Sequence, residues 1–199
     1  MALVLVVNAG SSSIKTAVFD GALTEHLRIE ALGIGQSGSL RLGKAPAKPL
    51  DLPDHRTAFA AILDGFNAQG IAASDLTAAA HRVVHGGPDL AETTEVTPGV
   101  RAAIAAAQPL APLHNSHPLS AIDALNALMP DLPQIAAFDT GFHRTNPDVA
   151  RRYALPDRPE TTDLRRYGFH GISYESLVRN FTAQTGSPLP RRLLALHLG

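Results

Sequence analysis

Leu3 to Val7 is continuously apolar and rich in β-branched residues, the pattern of a strand buried on both faces. A small polar turn, Asn8 to Ser13, follows it, and Ile14 to Phe19 reads as a second strand, so the pair forms a hairpin. Weaker strand patterns lie at Leu27 to Leu32 and Leu40 to Leu42. Pro46, Pro49 and Pro53 make Lys44 to Asp54 a loop. Asp54 is placed to cap a helix from His55 to about Gln69, with Phe59, Ile62, Leu63 and Phe66 on one face and Gly70 ending it. Leu76 to His85 reads as a strand stopped by Gly86-Gly87-Pro88. Thr97-Pro98 opens a helix to about Gln108, and Ser116 opens another to about Met129. Gln134 to Phe138 is a short strand, Tyr174 to Gln184 a helix, and Leu193 to Leu198 a final strand.

Strands first, then alternating helices and strands, predict an α/β sheet with helices packed on it. The chain has 199 residues, enough for one domain and part of another. Arg151 to Arg166, rich in charge and proline, is the expected junction. A strand at Leu193 to Leu198 would have no following partner and would leave backbone groups unpaired, so the chain is expected to be truncated.

Lys plus Arg number 17 and Asp plus Glu 18, a balance that offers no global basic field for nucleic acid or an anionic membrane. With no cysteine, disulfide scaffolds, thiolate zinc sites and cysteine nucleophiles are excluded. The first apolar run is too short for a signal-peptide core or a membrane span, and a soluble cytoplasmic protein is expected.

Five short segments carry candidate chemistry. Residues 8–15, N-A-G-S-S-S-I-K, set backbone N–H groups, hydroxyls and the Lys15 charge between two strands, which suits an anion. Ile14 stands where a Walker loop needs glycine, and a strand follows, so this is a phosphate-cradling hairpin or a plain polar turn. In H-R-V-V-H-G-G, residues 81–87, strand alternation puts Arg82 and Val84 on one face and His81, Val83 and His85 on the other. Arg beside Val suits a small carboxylate with an apolar tail; a salt bridge at the sheet end is the alternative. His81 and His85 lie roughly 13 Å apart along a strand, too far to share one metal ion.

His114 and His117 occupy a stiff loop between helices, either functional or simply hydrogen-bonding. Asp139 follows a short apolar strand, where open α/β sheets bind ligands; it could orient a nucleophile, steer a metal, hold an arginine, or cap its own turn. In Y-G-F-H-G, residues 167–171, glycines flank Phe169 and His170, and a histidine there could stabilise a phosphoryl group in transfer or be a turn residue behind a core aromatic.

Together and in this order, N-A-G-S-S-S-I-K, A-H-R-V-V-H-G-G, L-A-P-L-H-N, A-F-D-T-G-F-H, R-R-Y-G-F-H-G-I-S and the final L-H-L-G closely resemble the blocks of the acetate kinase family. The resemblance implies a ribonuclease-H-like (actin-like ATPase) fold, a mixed sheet flanked by helices. Residues 1–150 would be its first domain and 151–199 the truncated start of a second. It implies reversible, Mg²⁺-dependent transfer from ATP to acetate, giving acetyl phosphate and ADP. It further implies that Asn8 helps place metal and phosphates, with Ser11, Ser13 and Lys15 around it. Arg82 would hold the carboxylate, and Val84, Leu113 and Phe169 the methyl group. Asp139 would be the catalytic acidic residue, and His170 would stabilise the transferring phosphoryl group with His114 nearby. His197 and Gly199 would begin the nucleotide site. No nucleic acid or membrane partner is implied, and the full-length protein would be a homodimer.

The chain has Ile172-Ser173-Tyr174 where the family usually has Thr-Ser-His, and Ser116-His117 where it often has Pro-Pro. Both bear on acyl-pocket size, so propionate or butyrate kinase is the near alternative. A non-catalytic actin-like nucleotide-binding module is the alternative of another class. A Ser-His-Asp hydrolase lacks its Gly-x-Ser-x-Gly elbow. Because the resemblance ends before the family's nucleotide-binding domain, a fragment inactive on its own is expected.

Overall fold

A computed structural model describes residues 2–197. The leading hairpin is Leu3–Ala9 (β1) and Ser13–Asp20 (β2), joined in antiparallel register with Asn8 opposite Lys15. Glu25–Leu32 (β3) and Ser39–Leu42 (β4) continue the meander. The proline-containing loop is not wholly irregular, since Lys48–Pro49 (β5) adds a two-residue edge strand. Proline is tolerated there because an edge strand has one side of its backbone unpaired.

Helix His55–Ala68 (α1) starts where its cap requires, with the Asp54 carboxylate accepting the Thr57 N–H at 2.7 Å. Its stripe of Phe59, Ile62 and Phe66 is fully buried. The chain then crosses to Leu76–Val83 (β6), parallel to β1. A short strand, Thr94–Glu95 (β7), has too few residues to leave a periodic signal and was not foreseen. Pro98–Ala106 (α2), Ser116–Leu128 (α3) and Gln134–Phe138 (β8) follow. β8 runs parallel to β6, and β7 closes the sheet antiparallel to β8. The eight strands are ordered β5-β4-β3-β2-β1-β6-β8-β7.

Two faces of this sheet divide the labour. Leu5, Val7, Ile14, Val18, Ile29 and Ala31 point toward α1 and α3 and form the main core. Val83, Ala136 and Phe138 continue that inward row against Ile104 of α2 and Leu119 of α3. The alternate residues, among them Asn8, Lys15 and Arg82, point the other way.

β6 ends at Val83, two residues before the expected end, because β8 stops pairing there and a side chain of the α3 loop takes over. After β8 come a 3-10 turn, Gly141–Thr145, and two helices, Asp148–Arg151 (α4) and Gly171–Thr185 (α5). α5 begins three residues earlier than its apolar pattern indicated. The expected strand at Leu193 to Leu198 does not form over its described part. Leu194 and Leu196 are largely exposed, and no strand among the described residues lies beside them to pair with. Leu198 and Gly199 lie outside the described residues. No described helix is long and apolar enough to cross a membrane.

Candidate active site

The parallel strands β1, β6 and β8 deliver their C-terminal ends to one edge of the sheet, where ligands of open α/β folds bind. Arg82 leaves β6 on the face away from the helices. Asp139, the first residue after β8, meets it there. Both Asp139 oxygens accept from Arg82 Nε, at 3.3 and 3.1 Å, and Oδ2 also accepts from Nη2 at 2.6 Å. Arg82 Nη1 donates to Asn8 Oδ1 at 3.3 Å, so the end of β1 is tied in as well. The pair is asymmetric: the Asp139 side chain is 3% exposed and the Arg82 side chain 39%. The carboxylate is therefore committed to its cation, while the guanidinium keeps one flank open.

Asp139 is itself rigidly placed. Its N–H donates to Val83 O at 2.9 Å, and its carbonyl accepts from Gly171 N at 2.7 Å. A Cβ at Gly171 would collide with that carbonyl oxygen and with Phe142, so only glycine lets α5 start this close. The residue before it, His170, has a left-handed backbone, φ 58°. That conformation is strained for a non-glycine residue and persists only where the surroundings hold it.

Two cavities flank Arg82. One, of about 420 Å³, is walled by Val84, Leu110, Ala111, Leu113 and Phe169, with Arg82, Asp139, His114 and His170 at its polar side. The other, of about 400 Å³, lies over the hairpin turn and is lined by Asn8, Gly10, Ser11, Ser13, Lys15 and His117. They share Arg82, Val84, Leu113 and His114, so one guanidinium borders an apolar chamber and a polar one. Within the turn, Gly10 N donates to Ser13 O at 2.8 Å. His55, the first residue of α1, hydrogen-bonds Gly10 O at 3.1 Å, fixing the turn from behind.

Of the residues singled out from sequence, Arg82, Val84, Leu113, His114, Asp139, Phe169 and His170 line the first cavity. Asn8, Ser11, Ser13 and Lys15 line the second. His197 does not line either; its ring stacks on His170, with centroids 4.1 Å apart and planes 5° from parallel. Gly199 lies outside the described residues. Tyr174, where the family pattern has histidine, packs against Phe142 and His143.

The loop before α3 and the first turn of that helix contribute to the site in two ways. His117 lines the hairpin cavity, and Asn115, wholly buried, holds the backbone of His85. No local pattern distinguishes a structural Asn from a loop Asn, so only the fold reveals it. Burial pushes His85 below the usual histidine range, and its Nδ1 accepts the Gly87 N–H at 2.9 Å, so the ring is neutral with its proton on Nε2.

The oxygens that could face a magnesium ion are engaged by Arg82 in this arrangement. Asn8 Oδ1 and both Asp139 oxygens already accept from a guanidinium, whose charge repels a cation. The described residues hold no group of three or more His, Cys, Asp or Glu side chains, and magnesium that accompanies a nucleotide is usually held by phosphates, water and one or two protein oxygens. Asn8, which lines the hairpin cavity, is the residue that would offer an oxygen to such an ion.

An antiparallel β1–β2–β3 meander continued by parallel β6 and β8, with a polar hairpin and an arginine at the strand ends, defines the ribonuclease-H-like, actin-like ATPase class. Within that class the chain belongs to the acetokinase family, whose sequence model matches residues 3–199. The acetate kinase of Nitrobacter hamburgensis is 39% identical over 208 residues, covering 98% of this chain and 51% of that protein. That of Leifsonia xyli subsp. xyli is 41% identical over 209 residues, covering 100% and 52%. Among solved structures, Porphyromonas gingivalis acetate kinase superposes with a TM-score of 0.85 at 32% identity, over 94% of this chain and 49% of that one. A propionate kinase from Francisella tularensis also gives 0.85, at 28% identity, over 94% and 50%. The chain spans about half the length of the curated relatives it matches.

Proposed function

We propose that this chain carries the acyl and phosphate side of an acetate kinase, which transfers the γ-phosphoryl group of ATP to acetate. The observation that supports this most is Arg82, pinned by Asp139 between an apolar chamber and the polar hairpin. Acetate has the same two halves: its carboxylate would take the open flank of the guanidinium, and its methyl group would lie against Val84, Leu113 and Phe169. One carboxylate oxygen attacks the γ-phosphorus as the bond to the ADP oxygen breaks, leaving acetyl phosphate and ADP. Ser11, Ser13, Lys15 and the turn N–H groups would hold the phosphates, and His170 would donate to charge building on the transferring group. Asp139 acts here by orienting Arg82, since both its oxygens are already engaged. Phosphoryl transfer asks mainly for positioning and charge stabilisation, which this arrangement supplies.

The same proposal treats residues 1–150 as one domain and 151–199 as the start of a second. The rest of the nucleotide site would come from sequence that the longer relatives have and this chain does not. No step is routed through the magnesium ion that would accompany ATP. A cytoplasmic homodimer is the expected form of the complete enzyme.

The test supplies acetate and MgATP and traps acetyl phosphate with hydroxylamine, using the 199-residue chain and a chain of the relatives' full length. Product from the longer chain alone supports the proposal. Comparable turnover by the short chain overturns the division of the site, and no product from either overturns the kinase reading. Propionate is run beside acetate, because the Francisella propionate kinase matches the fold as well as an acetate kinase does.

A further inference from the structure

We infer that His85, buried behind the acyl cavity and touching no substrate, is a positioning residue that sets the acyl size the cavity accepts. This rests on the acyl-pocket reading above. The two apolar walls come from distant parts of the chain, the loop carrying Leu113 and the segment carrying Phe169, and neither belongs to the sheet. Both are anchored on this one residue.

The first anchor is main-chain. His85 N donates to Asn115 Oδ1 at 2.9 Å, and Asn115 Nδ2 donates to His85 O at 2.7 Å. The wholly buried carboxamide completes the strand end as a neighbouring strand would, and so fixes adjacent Val84 against the Leu113 loop. That loop is closed on itself by Asn115 N donating to Ala111 O at 3.0 Å. The second anchor is the ring. It meets Tyr167 edge-on, with centroids 4.4 Å apart, and Phe169 edge-on at 5.8 Å. His143 holds only the carbonyl of Phe169, at 2.9 Å. Among the described residues, His85 provides the only aromatic ring packed on that of Phe169. With the His85 ring gone, Phe169 can recede from the cavity while its backbone stays in place.

Two substitutions, both leaving the main-chain anchor in place, separate the ring from the acceptor that Nδ1 gives the Gly87 N–H. His85→Asn retains an acceptor for the Gly87 N–H but removes the ring; His85→Phe retains a ring but removes the acceptor. Acetate and propionate are titrated against the 199-residue protein and each variant, and the ratio of the two affinities is read. One methylene in an apolar pocket is worth roughly 10- to 200-fold, so a receding wall should move the ratio roughly three- to tenfold toward propionate in His85→Asn. His85→Phe should stay within about twofold of the unsubstituted ratio on the same scale. A purely structural role would weaken both acids equally and leave the ratio alone. An unchanged ratio in His85→Asn, or equal shifts in both variants, overturns the inference. If His85→Asn does not fold, Tyr167→Leu, which removes the ring behind His85, is read the same way, and an unchanged ratio there overturns it too. Failure of the unsubstituted protein to bind either acid overturns the acyl-pocket reading itself.

Discussion

His81 makes the stability of this protein depend on acidity in a calculable way. It lies on the inward row of the sheet between Val7 and Ala136, 1% exposed, and neither ring nitrogen has a hydrogen-bond partner. Burial pushes it down to about 4, and the neighbouring Gln134 carboxamide, whose Oε1 is also without a donor, opposes this only in part. The unfolded chain therefore binds this proton near pH 6.5, while the folded chain resists it until about pH 4. Between those values the unfolded state holds more protons, so stability falls as pH falls. The contribution is fully present above about pH 6.5 and levels off below about pH 4. The linkage slope approaches ~1.4 kcal/mol per pH unit, which gives a loss of about 2 kcal/mol between pH 7 and pH 5. Urea unfolding followed by circular dichroism at both pH values measures it. His85 shifts in the same direction, so the His81 share is the difference between the unsubstituted protein and His81→Leu. Leucine removes two unpartnered polar atoms and should be no less stable at pH 7. An acid loss of the same size in His81→Leu would refute the reasoning.

The Arg82–Asp139 pair should show strong coupling. Arg82→Ala strands a buried carboxylate, which costs about 3–5 kcal/mol in a dry site and nearer 1–3 kcal/mol here because water reaches the arginine flank. Adding Asp139→Ala should return part of that loss, and a double-mutant cycle giving strictly additive effects would contradict the pairing. Gly171→Ala should cost about 1–3 kcal/mol by overpacking against the Asp139 carbonyl, and should weaken acetate binding without altering the phosphate hairpin; titrations with acetate and with inorganic phosphate check both. Asp54→Ala, which removes the Thr57 cap, should lower stability by about 1 kcal/mol with acetate affinity unchanged, as read by thermal melting and the same titration.

Most of the secondary structure is local physics and was legible in order. The β1–β2 hairpin, the Asp54 cap, the Phe59–Ile62–Phe66 stripe, Pro98 at the first helical position and the apolar run of β8 each follow from backbone preference and side-chain period. That Arg82 and Val84 share one face and His81 and His85 the other follows from alternation alone; which face is buried does not. What periodicity cannot supply is a partner. The expected strand at Leu193 has a strand's composition, yet its described part has no neighbour to bond with and forms none. The two-residue β5 and β7 exist only because longer strands lie beside them.

The site divides in the same way. Chemistry-bearing residue types announced themselves at Asn8, Ser11, Ser13, Lys15, Arg82, Asp139 and His170, because anion and carboxylate binding draws on few side chains. Their roles relative to one another are set by the sheet, which brings β1, β6 and β8 to a common edge. Only then is Asp139 seen to place both oxygens on Arg82. Nothing along the chain pairs His85 with Asn115, since they meet across 30 positions of sequence. Sequence determined which elements form and which groups could do chemistry, because those are properties of short stretches. Tertiary structure decided which of those groups meet and how wide the apolar chamber beside Arg82 is, because separations in space are set by packing.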